Sequence, residues 1–154
     1  MTLAMQRMVA PVTGAAVRSF SEESDSKLEI AVVFTTVDAT LGALQEAGSL
    51  AHSLGGRMTL FVPEIVPYPL PLTSPPVPVD FNERRLHVLA SGCRVDTRIA
   101  IYLCRDPAET LRSVLKPGSL VVIGAKRRWW PTREQRLAGK LRKLGHEVVV
   151  TERT

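Results

Sequence analysis

Between Lys126 and Lys143 the chain reads KRRWWPTREQRLAGKLRK, with eight cations (Lys126, Arg127, Arg128, Arg133, Arg136, Lys140, Arg142, Lys143) against one acid, Glu134. This run carries +7 of a net +5, so the rest of the 154-residue chain is at −2. Side chains of this type at this density meet phosphate or carboxylate, Arg through a planar fork and Lys as a point charge. Trp129 and Trp130, the only two tryptophans, lie inside the same run. Lys126, Arg127 and Arg128 directly follow an apolar segment and are candidates for an anion-binding loop. Arg133, Arg136, Lys140, Arg142 and Lys143 fit the solvated face of an amphipathic helix. The tryptophans read first as a cap on the core of the chain or of a dimer. Other readings have them cover a ligand crevice, pack on the arginines, or form a partner's hot spot. Single-stranded nucleic acid, with bases on the rings and phosphates on the cations, stands behind the anion-site reading, and a membrane surface behind both.

Elsewhere the residue types that carry chemistry are dispersed. His52, His87 and His146 have no Cys or carboxylate beside them at metal-ligand spacing. No G-x-S-x-G, paired carboxylate motif or Cys–His pairing is legible, so the chain is expected to be noncatalytic. Cys93 and Cys104 flank a predicted strand whose length, about 36 Å, holds them far outside disulfide reach. They read as reduced, small buried side chains, which suits a cytoplasmic protein.

The elements that position these residues follow from periodicity. Residues 1–26, with Ser19, Ser21, Ser24 and Ser26 among Glu22, Glu23 and Asp25, show no persistent period and read as a flexible arm rather than a signal peptide. The domain then runs from 27 to 154. LEIAVVFTT is a strand buried on both faces. Asp38 or Thr40 can cap a helix with Leu44, Ala47, Ala51 and Leu54 on its apolar stripe, and Gly55-Gly56 stops it. MTLFVPEIV is a second strand. Seven of 11 prolines fall between Pro63 and Pro78, a stretch expected to be neither helix nor central strand. A helix over VDFNERRLHVLASG leads to CRVDTRIAIYL, whose alternation predicts an edge strand with one solvated face. Asp106-Pro107 opens a helix ending at Pro117-Gly118. SLVVIGA is a fourth strand. Pro131 starts a helix striped by Leu137, Leu141 and Leu144 and ended by Gly145, and HEVVVTERT is the last strand. This alternation predicts an α/β domain, a five-stranded parallel doubly wound sheet with helices on both faces. No apolar run reaches the roughly 18 residues of a membrane span. The apolar last strand, at an open sheet edge, predicts a homodimer.

Residues 27–152 resemble the universal stress protein family, within the adenine-nucleotide-binding α/β domains. The resemblance is carried by IAVVFTTVDATLGALQEAGSLAHSLGGRMTLFVPEI, by DPAETL and by VVIGAKRR. It implies strand order 3-2-1-4-5 and a homodimer through the last strand. In ATP-binding members an Asp follows the first strand, and a G-x2-G-x9-G-[ST] loop after the fourth lets backbone N–H groups approach the phosphates. In this chain the Asp position falls on Thr35, with Asp38 three residues later. Gly124 matches the first glycine, Arg127 replaces the second and Leu137 the third, while Gly139, followed by Lys140, comes two residues late. An Arg at a close-approach glycine obstructs that phosphate path. The resemblance therefore implies a noncatalytic regulatory or stress-associated protein with a degenerate nucleotide site and no cofactor. Behind it stands a small anionic ligand, ATP or another adenine nucleotide included, held where the winding reverses by Thr35, Thr36, Asp38, Gly124, Lys126, Arg127, Arg128 and Gly139.

Overall fold

The computed structural model describes residues 7–12, 28–93 and 95–153. Six strands, β1 (Arg7–Val12), β2 (Glu29–Val33), β3 (Arg57–Ile65), β4 (Thr97–Cys104), β5 (Leu120–Lys126) and β6 (Glu147–Arg153), form one sheet in the order β1-β4-β3-β2-β5-β6. From β4 to β6 every pairing is parallel, and counted from β2 the order is the expected 3-2-1-4-5. Four helices, α1 (Val37–Leu54), α2 (Val79–Ala90), α3 (Pro107–Val114) and α4 (Arg133–Lys143), cover its two faces. Alternate residues of β2 serve both layers. Ile30 and Val32 pack with Leu44 and Ala47 of α1 and Leu86 of α2, whereas Ala31 and Val33 pack with Leu111 of α3 and Leu141 of α4. A strand buried on both sides has no polar alternation, which is why LEIAVVFTT is apolar throughout.

Several expectations change in detail. β1 lies inside the segment read as a flexible arm and pairs antiparallel with β4, from Arg7 opposite Tyr102 to Val12 opposite Thr97. The remaining arm positions are outside the described residues. β4 is therefore not the edge strand its alternation suggested, and Ile99 through Cys104 are all buried. A six-residue antiparallel strand containing Pro11 has too weak a period to be seen in sequence. Pro63 belongs to β3, a central strand, against the expectation for the proline-rich stretch. It sits beyond Phe61, the last β3 residue paired with β2, so its missing N–H breaks no bond on that side.

Helix starts differ too. Thr36, not Asp38 or Thr40, caps α1 through its hydroxyl, which accepts from the Ala39 N–H. α4 begins after Pro131, where Thr132 and Gln135 form a capping box. Asp106 caps α3 as expected, accepting from the N–H groups of Ala108 and Glu109. Gly55 ends α1 at φ 64°, a left-handed conformation that favours glycine. Leu54 and Leu144, placed on apolar stripes by spacing, lie in final turns and are exposed. Among the described residues, no helix is long and apolar enough to cross a membrane.

Candidate functional site at the carboxyl ends of β2 and β5

β2 and β5 are neighbours, and the chain leaves them toward opposite faces of the sheet, to α1 and α4. That divergence opens the crevice where doubly wound domains place ligands. Here it is lined by Phe34 to Thr40 from one side and Gly124 to Arg128 from the other. The Thr35 hydroxyl donates to the Gly124 carbonyl at 2.9 Å, and the Thr35 N–H donates to the Thr40 hydroxyl at 3.1 Å. Thr40 is fully buried in the first turn of α1. These bonds tie the β2–α1 turn directly to β5.

Gly124 is occupied by packing. A Cβ built there would lie 2.0 Å from the Ala39 carbonyl oxygen and 2.4 Å from its carbon, so the first turn of α1 rests on the bare backbone of β5. The glycine that resembles the start of a phosphate loop is needed for this helix-on-strand contact. The helix ends beside it are also engaged. Thr36 takes one free N–H of α1, and Asp38, exposed in that first turn, puts a carboxylate where an anion would otherwise be attracted. At α4 the capping box takes the equivalent group, Glu134 supplies the negative charge, and the Gln135 amide reaches Glu152 at 3.3 Å.

The structure thus brings together Thr35, Thr36, Asp38 and Gly124, and sets Lys126, Arg127 and Arg128 at their rim. All three cations are exposed, and none has an ion pair within 4.0 Å among the described residues. Gly139 is not part of this group. It lies mid-way along α4, on the opposite face of the sheet from α1, beside the buried Ala138. Trp129 and Trp130 neither cap the chain's core nor cover the crevice, being 102% and 82% exposed.

A second polar group, which the sequence did not single out, sits at the ends of β3 and β4. Glu64 has one carboxylate oxygen buried without a partner among the described residues, and burial pushes its carboxyl above the usual range, opposed by a bond from Asn82. Burial likewise raises the thiol of Cys104, opposed by a bond with Thr110, and Asp106 and Glu64 raise it further. Cys93 is half-buried, free and similarly raised by burial. Neither thiol has the depressed pKa of a nucleophile. Arg105 donates to the carbonyls of Val66 and Leu70 and stacks 4.1 Å above the Tyr68 ring, which anchors the proline-rich loop. Its signal was a cation directly following an apolar strand, the same signal that marked Lys126. Of the histidines, His52 is exposed, His87 lies 3.7 Å from Glu83, and His146 is buried. Among the described residues, no group of three or more His, Cys, Asp or Glu could hold a metal ion. No family model matches the chain, and no curated protein matches it.

Proposed function

We propose that the chain is a noncatalytic regulatory domain of the universal-stress-protein kind, with a degenerate nucleotide site that does not take ATP in the family's manner. The observation that carries this reading is the contact of α1 on Gly124, because a phosphate loop needs that glycine's backbone open and here it lies under the Ala39 carbonyl. Thr35 adds to it, since a hydroxyl bonded to Gly124 stands where ATP-binding members have a carboxylate. Calorimetric titration with ATP, ADP and AMP, with and without magnesium, tests the proposal, and no saturable heat is expected. Saturable ATP binding that is lost in R127A overturns it.

An anion site on Lys126, Arg127 and Arg128 is the second reading, favoured by three exposed cations without ion pairs among the described residues. It expects thermal stabilisation by pyrophosphate that disappears in the triple alanine variant. A regulatory domain without chemistry acts through partners, and β6 offers one surface, since among the described residues it pairs with β5 alone. We place a homodimer there, and sedimentation as a monomer at micromolar concentration contradicts it. Two free cysteines suit a reducing compartment, the cytoplasm in this reading.

A further inference from the structure

The exposed tryptophans and the cations of α4 lie outside the contacts that join α1 to β5 at the crevice. Every exposed residue of α4 is cationic: Arg133, Arg136, Lys140, Arg142 and Lys143. Arg142 turns back to donate to the Val148 carbonyl at 3.0 Å. The other four are spaced three, four and three residues apart, which sets them on one stripe of the helix with neighbours about 5–6 Å from each other. From Arg133 to Lys143 that stripe runs about 15 Å. None of the four has an ion pair within 4.0 Å among the described residues. At its head stand Trp129 and Trp130, both open to solvent, immediately after three further exposed cations.

We propose that this surface binds single-stranded nucleic acid, with phosphates along the α4 stripe and unpaired bases stacked on Trp129 and Trp130. A line of charge favours a linear polyanion. Two flat rings at one end of the line add what a polyphosphate lacks, a π-face of the size of a base. Duplex bases are already stacked on one another and leave the rings without partners. An anionic bilayer fits less well. Interfacial helices carry apolar side chains among their cations, but α4 exposes none, and Ala138 and Leu141 are in the core.

Both tryptophans of the chain are in this loop, so intrinsic fluorescence reports on it alone. The test is a titration of the full chain with oligothymidylate and oligouridylate of about 12 nucleotides, within the range of known single-strand sites. Saturable quenching is expected, with affinity falling about 50-fold from 50 to 200 mM salt for four phosphate contacts. W129A/W130A keeps no tryptophan to quench, so its binding is read by the fluorescence anisotropy of a dye-labelled oligonucleotide, with the parent chain measured the same way, and is expected to weaken at least about fivefold per ring. K140Q/K143Q is expected to halve the salt dependence while the quenching at saturation is kept. These side chains are exposed, so both variants fold, which circular dichroism verifies. No binding at 50 mM salt, equal binding of duplex or heparin, unchanged affinity in W129A/W130A, or binding of phosphatidylserine vesicles instead of oligonucleotide each overturns the proposal.

Discussion

Replacing Gly124 with alanine probes the packing of α1 on β5 that carries the proposed function. The added Cβ meets the Ala39 carbonyl oxygen at 2.0 Å, whereas non-bonded carbon and oxygen atoms need more than 3 Å. Neither group is a side-chain end that can swing away, so α1 has to lift from β5 by about an ångström or β5 has to bend. Lifting α1 also stretches the 2.9 Å bond from Thr35 to the Gly124 carbonyl. Overpacking of a core costs about 1–3 kcal/mol and occasionally more, and a backbone-on-backbone clash belongs at the upper end, about 3 kcal/mol. For a chain of this length that lowers the Tm by roughly 6–12 °C. The control is Gly139→Ala in α4, where nothing lies within 4 Å of the new Cβ and a helix interior gains about 1 kcal/mol from alanine. Urea unfolding and calorimetry of G124A and G139A beside the parent chain give both values. Should G124A stay within about 0.5 kcal/mol of the parent, the α1–β5 contact is looser than described, and the proposed degenerate site loses its physical basis.

Three further outcomes follow from the packing. Asp106→Ala removes the cap that serves two N–H groups of α3 and is expected to cost about 1 kcal/mol in urea unfolding. Glu64 has a folded pKa above its ordinary 4.5, so the native state holds the proton more tightly. Its contribution is complete below the unfolded value and is lost as pH rises through the folded one. E64Q is expected to remove that loss and to flatten stability against pH just above 4.5, which denaturation at several pH values reads. Arg105→Ala releases Val66, Leu70 and the Tyr68 ring together. Limited proteolysis is expected to nick the 67–78 loop faster in that variant, and unchanged cleavage contradicts the anchoring role.

Much of the parallel sheet was legible because apolar runs of strand length alternate with helical spacing, and Asp106-Pro107 and Gly55 mark helix ends by rules that act within a few residues. β1 escaped because a short antiparallel strand with a proline has little local signature and depends on a partner, β4, lying about 90 residues away in sequence. For the same reason β4 looked like an edge: its arginines alternate with apolar residues, but the strand that covers it comes from the chain's beginning. Thr36 prevailed over Asp38 as the α1 cap because the turn begins two residues earlier than the polar residues alone suggested. At the site, replacement of Asp and glycines by Thr35, Arg127 and Leu137 could be read in sequence. The burial of Gly124 under Ala39 could not, since it is a distance between elements.

β1 also changes how copies of this domain can grow together. A five-stranded parallel sheet has two free rims, one at each side, and pairing through both would propagate without end. Here one rim is finished by a six-residue strand of reversed direction that contains Pro11, and such short, proline-bearing strands resist further addition. Any strand-to-strand assembly is left with the β6 rim. If two copies meet through that rim, as in the proposed dimer, the rim is consumed and growth by strand pairing would stop at a pair, with β1 closing the other side.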